Sequence, residues 1–121
     1  MKKIFIIDDE ESIVEALTLL LEDVGYTVFS AKKGKDILQN VRETSPDIIL
    51  LDLLLSGLDG REICLELKNQ SETKEIPLIM VSAHPSAEKS AKEAGSDNFL
   101  AKPFETEELL ALLDQYLSKK K

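Results

Sequence analysis

The chain alternates short apolar runs with longer segments of helical periodicity, and this alternation constrains the fold more than any other feature. Runs of roughly four to eight apolar residues bounded by turn residues predict buried strands, whereas apolar residues at i, i+3, i+4 and i+7 predict helices. The predicted strands are 3–7, 26–30, 48–52, 77–81 and 97–101, and the predicted helices are 12–24, 33–41, 60–69, 85–94 and 105–118.

Alternation of this kind implies an α/β fold in which helices cover both faces of a parallel sheet. Because crossovers between parallel strands are right-handed, few topologies remain. We predict a three-layer, doubly wound parallel sheet of five strands in the order 2-1-3-4-5. In such sheets functional groups gather at the carboxyl ends of the strands, where the strand order reverses, which here means strands 1 and 3.

Length and composition favour one domain spanning residues 1–121 and exclude several classes of protein. A formal net charge of -8 argues against direct nucleic-acid binding, which requires clustered Lys and Arg. Cys64 is the single cysteine, so an internal disulfide and a multi-cysteine zinc site are excluded, and we expect it in the core. Neither a signal peptide nor a membrane span is evident, so we expect a cytoplasmic protein with no membrane association.

One acidic residue interrupts the most apolar stretch of the chain, Ile48–Leu55. Seven of its eight residues are aliphatic and the eighth is Asp52. A carboxylate in such a run costs several kcal/mol unless it is paired, bound to a metal or placed at the solvent-facing end of the strand. Asp52 is therefore either an ordinary turn-forming aspartate at a strand end or a functional residue.

Polar residues that could carry chemistry follow four of the predicted strands directly. Strand 1 leads into Asp8 and Asp9, strand 3 ends at Asp52, strand 4 at Ser82 and strand 5 at Lys102. Carboxyl ends of parallel strands share one edge of a sheet, so these five side chains are expected to lie close together. Their convergence is more specific than any one of them taken alone.

Three neighbouring carboxylates repel each other, so either one is protonated or a cation lies among them. Hard oxygen ligands with open positions suit Mg²⁺, or Mn²⁺ in its place. With a lysine and a hydroxyl beside them they form the parts of a phosphoryl-transfer site, in which Asp52 would be the nucleophile. The chain contains neither a P-loop nor a glycine-rich dinucleotide fingerprint, so nucleotide binding is not expected.

The chain resembles the receiver domain of bacterial two-component response regulators, in particular the single-domain, chemotaxis-regulator kind. The motifs that carry the resemblance are Ile7-Asp8-Asp9-Glu10, Leu51-Asp52-Leu53, Leu58-Asp59-Gly60, Val81-Ser82-Ala83, Ala94-Gly95-Ser96-Asp97 and Lys102-Pro103-Phe104. The resemblance covers essentially the whole chain and implies a flavodoxin-like receiver fold.

The resemblance also implies a role for each matching residue. Asp52 would be the phosphoacceptor, and Mg²⁺ would be held by Asp8, Asp9, Asp52 and the backbone carbonyl of Leu54. Ser82 would be the switch hydroxyl that turns toward the phosphoryl group.

Three further positions match residues of the family's switch. Lys102 would pair with the phosphoryl group, and the bond from Lys102 to Pro103 would be cis. Phe99 would be the aromatic side chain that moves inward with Ser82. A plain core aromatic at Phe99 and a helix-start proline at Pro103 are the alternatives.

The sequence departs from the family pattern in three ways. Ser56 stands where the family usually has proline, so the loop geometry is open, although Gly57 permits a tight turn. The segment from Ser82 to Gly95 is about two residues shorter than the family resemblance leads one to expect, which predicts a short or partly disordered fourth helix. The sequence shows no output domain after the fifth helix, so output would be through partner binding, or the domain is excised from a longer protein.

The function implied is a phosphorylation-controlled signalling switch and not an enzyme, although the domain would assist its own phosphorylation and dephosphorylation. A histidine kinase or histidine phosphotransfer protein would supply the phosphoryl group. A downstream protein would bind the face formed by the fourth helix, fifth strand and fifth helix, and homodimerisation on phosphorylation stays open. Leu54 and His84 flank the acceptor in the family pattern and would tune the lifetime of the phosphoryl group.

Two alternatives use the same fold. A phosphate-independent pseudo-receiver would signal through binding alone, but such modules usually lack part of the acidic set that is complete here. A phosphatase-like hydrolase would also use an aspartate nucleophile and Mg²⁺. It would usually carry a second acid two residues after the nucleophile, where this chain has Leu54.

Overall fold

The computed structural model of the protein describes residues 2–31, 36–55, 58–84 and 86–117, with the backbone alone at 54, 55 and 58. Its strands are β1 (Lys3–Ile7), β2 (Thr27–Ala31), β3 (Ile48–Asp52), β4 (Leu54–Leu55), β5 (Leu58–Asp59), β6 (Leu78–Ser82) and β7 (Asn98–Ala101). Its helices are α1 (Glu11–Val24), α2 (Ile37–Thr44), α3 (Gly60–Lys68), α4 (Ala87–Glu93) and α5 (Thr106–Leu117).

Five of the strands form one parallel sheet in the order β2-β1-β3-β6-β7. Counted along the chain, this is the predicted order 2-1-3-4-5, so the predicted fold is confirmed. The apolar run that starts at Ile48 is divided, because β3 ends at Asp52 and the chain then turns into a small antiparallel pair, β4 with β5. The turn leaves Asp52 at the carboxyl end of a central strand.

The alternation of buried side chains along the strands produces two cores, one on each face of the sheet. Odd-numbered residues of β1 and β3, such as Phe5 and Leu51, pack with α2, α3 and α4. Even-numbered residues, such as Ile6 and Leu50, pack with α1 and α5. Strands buried on both faces explain why their sequences read as continuous apolar runs.

Most ends of the elements lie within one or two residues of the prediction, but α2 ends at Thr44, three residues after its predicted end at Val41. Gly25 ends α1 with φ 115°, a left-handed conformation that favours glycine. The helix α4 has seven residues, which confirms that it is short. The predicted helix from Lys33 begins at Ile37 in the structure, and 33–35 lie outside the described residues.

Cys64 is fully buried on α3, as its place in the helical pattern predicted. Burial raises the pKa of its thiol to about 11. Across the helices that the structure describes, none has both the length and the hydrophobicity that a bilayer-spanning segment requires.

Candidate functional site

The predicted polar residues lie at the carboxyl edge of the sheet. Asp8 and Asp9 follow β1, Asp52 is the last residue of β3, Ser82 is the last residue of β6, and Lys102 follows β7. The pairing of neighbouring strands agrees with this placement, because Asp52 of β3 is opposite Val81 of β6, and Ser82 of β6 is opposite Ala101 of β7. The fold thus brings residues that are up to 94 positions apart in the chain to one edge.

Three carboxylates form the centre of this edge. One oxygen of each of Asp8, Asp9 and Asp52 lies within 4.8 Å of an oxygen of the other two. Asp8 is buried, with 5% of its surface exposed, and the Asp52 side chain is 12% exposed. At this separation each pair of charges repels by about 1 kcal/mol in water and by several times that at the lower dielectric of a protein surface.

Lys102 is the cation that the structure places beside these acids. Its Nζ lies 3.7 Å from Asp8 Oδ2 and 3.7 Å from Asp52 Oδ1, which is an ion-pair distance longer than a hydrogen bond. The backbone N–H of Lys102 donates to the Ser82 carbonyl at 2.9 Å, which fixes the start of the side chain. One ammonium beside three clustered carboxylates is a set of charges that a further cation would stabilise.

Local structure holds the most buried acid in place. The backbone N–H of Glu10 donates to Asp8 Oδ1 at 2.9 Å, and the N–H of Asp8 donates to the Ala31 carbonyl at 3.2 Å. Beneath the acids lies a small, largely apolar pocket between the sheet, α1 and α5, whose lining includes Leu17 and Leu109. Apolar surroundings lower the local dielectric, which strengthens the charge–charge interactions within the cluster.

Three carboxylates at the end of parallel strands, with a lysine beside them, are the arrangement that the sequence predicted for a receiver domain. The profile of the response regulator receiver domain family matches residues 4–114. The chain belongs to this family.

Solved structures agree with this assignment. A protein of Chloroflexus aurantiacus J-10-fl assigned to the response regulators is 34% identical, with a TM-score of 0.91 and 98% of each chain covered. The chemotaxis protein CheY4 of Vibrio cholerae is 30% identical, with a TM-score of 0.88, over 97% of this receiver domain and 99% of that chain.

A third structure carries an ion in its active site. It is the receiver domain of the sensor histidine kinase PA1611 from Pseudomonas aeruginosa PAO1, described with a magnesium ion coordinated in the active site cleft. It is 25% identical, with a TM-score of 0.89 and 98% of each chain covered.

Membership in the family establishes the general function. Receiver domains are phosphorylation-based switches of two-component signalling, and as signalling domains they are generally not classed as enzymes. They interact with histidine kinases or phosphotransfer proteins and bind Mg²⁺ at an acidic pocket. The donor set of Asp8, Asp9 and Asp52 fits such an ion, because Mg²⁺ prefers carboxylate oxygens and keeps positions open for water and phosphate.

Ser82 is buried at the end of β6, the strand that pairs with β3, which ends at Asp52. Its Oγ accepts the backbone N–H of His84 at 3.0 Å, so this hydroxyl is held by its own loop in the structure. His84 is exposed and its Nδ1 is 2.9 Å from Ser86 Oγ. His84 is outside the carboxylate cluster, which agrees with a loop residue better than with a metal ligand.

Phe99 lies on β7, opposite Met80, and is half-buried against the core of the α2–α3–α4 face. The sequence left open whether it is a core aromatic or a switch residue, and its partial burial is compatible with both. The Lys102–Pro103 peptide bond is cis, as the resemblance implied.

The features predicted for the loop after β3 remain predictions. Ser56 and Gly57 lie outside the described residues, so the effect of the missing proline is open. The backbone of Leu54 is paired with Asp59 in the small antiparallel pair, and a metal-binding role for its carbonyl stays a prediction.

The sequence did not reveal the packing of the α3 start against the acceptor strand. In the sequence, Asp59 and Gly60 stand out only as part of a motif, and no pattern distinguishes Arg61. The close contact of Gly60 with the backbone of Asp52 has no signature in periodicity or composition. A glycine that opens a helix, between an N-cap aspartate and an arginine, was the only available signal.

Proposed function

We propose that this receiver domain accepts a phosphoryl group on Asp52 and that the modification changes the binding of a partner protein. The observation that carries the proposal is the cluster of three carboxylate oxygens within 4.8 Å, with Lys102 Nζ at 3.7 Å from two of the acids. Histidine kinases or histidine phosphotransfer proteins are the proposed donors.

The positions of the acids support Asp52 as the acceptor. Asp8 is more deeply buried, and its Oδ1 accepts a backbone N–H. Asp52 lies at the end of a central strand, between the strands that lead to Asp8 and Ser82. An acceptor at this point has acids on one side and a hydroxyl on the other.

The proposed reaction is an in-line phosphoryl transfer. An oxygen of the Asp52 carboxylate attacks phosphorus, and the bond between phosphorus and the imidazole nitrogen of the donor histidine breaks, which leaves an acyl phosphate on Asp52. Asp8 and Asp9, with the carbonyl of Leu54 and Asp52 itself, would hold Mg²⁺, which neutralises the charge that develops on the phosphoryl oxygens. Lys102 contributes a positive charge to the same oxygens, because it already lies beside Asp52.

The switch then depends on Ser82 and Phe99. A phosphoryl group on Asp52 offers acceptor oxygens to which the Ser82 O–H can donate, and reaching them would turn Oγ away from the His84 N–H whose hydrogen bond it now accepts. Movement of Ser82 opens space toward β7, where Phe99 is half-buried and able to pack inward. The face formed by α4, β7 and α5 changes with it, and a partner that prefers one state reads the result.

The experiment that tests the acceptor uses acetyl phosphate as a small donor. The wild-type protein incubated with Mg²⁺ and labelled acetyl phosphate should gain one phosphate that hydroxylamine removes, as expected of an acyl phosphate. Asp52→Asn should abolish the label, whereas Asp23→Asn, an exposed aspartate on α1, should leave it unchanged. Labelling that persists in Asp52→Asn would show that another residue is the acceptor.

The two alternatives give different results. A phosphate-independent pseudo-receiver would show no label in the wild type, and the complete acidic cluster speaks against it. A hydrolase would turn over a chromogenic phosphate ester steadily, and we expect no turnover because residue 54, two positions after Asp52, is leucine.

A further inference from the structure

The turn that opens α3 lies directly against the backbone of the proposed acceptor. The N–H of Gly60 donates to the Leu53 carbonyl at 2.6 Å. A Cβ atom at residue 60 would lie 2.5 Å from the Asp52 carbonyl oxygen and 2.8 Å from the Leu53 carbonyl oxygen, distances that no side chain tolerates. Glycine is needed here because of this close approach of two backbones.

Two side chains fix this turn. The Asp59 carboxylate caps α3 by accepting the N–H of Arg61 at 2.9 Å, and it also accepts the guanidinium Nε of Arg61 at 3.0 and 3.1 Å. The Arg61 Nη2 makes a further short contact with Asp59 Oδ2. A bidentate, charge-assisted pair of this kind holds a fixed geometry better than a neutral hydrogen bond does.

The carboxyl end of β3 is thus held from two sides. On one side the Leu53 N–H donates to the Val81 carbonyl of β6 at 2.9 Å. On the other side the Leu53 carbonyl accepts the Gly60 N–H, and Leu54 pairs with Asp59. The peptide that follows Asp52 therefore has no freedom to shift unless the start of α3 moves with it.

We infer that Asp59, Gly60 and Arg61 form an acceptor brace, a set of positioning residues that fixes the backbone from Asp52 to Leu54 relative to the acids after β1. The inference rests on the proposed function, because it assigns this geometry a role in metal binding and phosphorylation. Mg²⁺ demands near-ideal octahedral geometry, so a small displacement of one ligand weakens binding strongly. Loss of groups that orient ligands typically lowers metal affinity by about 10- to 100-fold.

The brace differs from an ordinary stabilising contact because its side chains are accessible. The side chain of Arg61 is 47% exposed and that of Asp59 is 31% exposed. An ion pair at such a position contributes little to global stability. Removal of the Arg61–Asp59 ion pair should therefore change Mg²⁺ binding at the site more than it changes the stability of the fold.

The test compares Arg61→Ala with Arg42→Ala, which removes another partly exposed arginine whose ion-pair partner, Glu72, is 3.9 Å away. Three quantities are measured in each protein: the Mg²⁺ Kd by calorimetry, the exchange rates of the Leu53 and Gly60 amides by NMR without metal, and the Tm. We expect Arg61→Ala to raise the Mg²⁺ Kd about tenfold and to speed exchange of both amides, with a Tm close to that of Arg42→Ala. Asp59→Asn should change the same quantities in the same direction.

Gly60→Ala should show the larger effect, but it can fail to fold, so the decision rests on Arg61→Ala. Unchanged amide exchange in Arg61→Ala would overturn the brace. Faster exchange with an unchanged Mg²⁺ Kd would overturn it too, since the contact would then be structural only. A wild-type protein that takes no phosphate on Asp52 would refute the proposed function instead, and the amide exchange rates would still decide whether the brace holds this backbone.

Discussion

Each end of the sheet places a lysine beside aspartate, but the two ends differ in the number of carboxylates and in their distances from the lysine. At the amino end, Lys68 Nζ donates to Asp97 Oδ2 at 2.6 Å and to the carbonyls of Lys74 and Ile76 at 3.2 and 2.9 Å. Asp97 Oδ2 also accepts the Leu78 N–H at 2.8 Å. Each ammonium proton has an acceptor, and one positive charge meets one negative charge.

At the carboxyl end the same residue types meet at longer distances. Lys102 Nζ is 3.7 Å from Asp8 and from Asp52, and Asp9 belongs to the same cluster of carboxylates. A pair with good hydrogen-bond geometry stabilises the fold, whereas clustered carboxylates repel one another and are stabilised by a bound cation or by protonation of one of them. The difference teaches that the balance of charge and hydrogen bonds, and not the presence of Lys and Asp, distinguishes a structural network from a binding site.

Among the substitutions that test this comparison, replacement of Lys68 should change the free energy of unfolding most. Lys68→Met should lower the free energy of unfolding by about 2 kcal/mol, because a carboxylate and two carbonyls lose a charged donor. Urea unfolding measures the change, with Arg42→Met, which removes an ion pair of 3.9 Å, as the control that should cost about 0.5 kcal/mol or less. Equal losses in the two variants would mean that the Lys68 network is no more structural than a surface pair.

A second prediction concerns the sign of the effect at the two ends. In EDTA, Asp52→Asn should raise the free energy of unfolding by about 1 kcal/mol, because the repulsion from Asp8 and Asp9 that it removes outweighs the attraction to Lys102 that it loses. Asp97→Asn should lower it by about 1 kcal/mol, because Asp97 is paired with Lys68. Both are read from the same urea titrations, and a change of the same sign in both variants would break the comparison.

The fold was predictable because its signals are local. Strands that are covered on both faces, such as Ile48–Asp52, are recognisable in the sequence as apolar runs, and helices are recognisable by the 3.6-residue spacing of their apolar residues. The order of strands and helices along the chain could therefore be predicted. The position of the site followed as well, since Asp8, Asp52 and Lys102 each come directly at or after the end of a strand. The parallel topology, which is not a local pattern, brings these residues together at one edge of the sheet.

What the sequence could not predict depends on distances between distant segments. The approach of Gly60 to the Asp52 carbonyl and the pairing of Lys68 with Asp97 join residues that are 8 and 29 positions apart. Neither contact produces a periodic pattern in the sequence. The Ser82 hydroxyl was predicted as a switch group, but its present partner, the His84 N–H, depends on a loop conformation that composition does not encode.

A third prediction uses the ion itself. Mg²⁺ at about five times its Kd should raise the free energy of unfolding by about 1 kcal/mol, since it binds the folded state only. The gain should disappear with EDTA and in Asp9→Asn, and it should persist in Asp97→Asn, whose site is at the other end of the sheet. Thermal unfolding with and without Mg²⁺ measures it, and an equal loss in both variants would show that the ion is not held by the acids after β1.

The smallest expected effect is a pH dependence at the start of α3, and it separates this ion pair from the charge-rich site beside it. The hydrogen bond from Arg61 holds the pKa of Asp59 below its usual value. A carboxyl whose pKa is lower in the folded state stabilises the fold above its unfolded pKa, and this contribution is lost as the pH falls through the folded pKa. Arg61→Ala should therefore be less stable than wild type at pH 7, by about 0.5 kcal/mol or less because solvent screens the pair.

That difference between wild type and Arg61→Ala should shrink below pH 4, where Asp59 becomes protonated in the unfolded chain and then in the folded one. Urea titrations at pH 7 and at pH 3 measure it, with Arg42→Ala as the reference for loss of a surface cation. We assign this pH dependence to Asp59 and not to the acids of the site, because Asp59 is the carboxylate that Arg61 contacts directly. A difference that stays constant from pH 7 to pH 3 would mean that Arg61 stabilises the turn by packing, and that its charge contributes nothing to the position of Gly60.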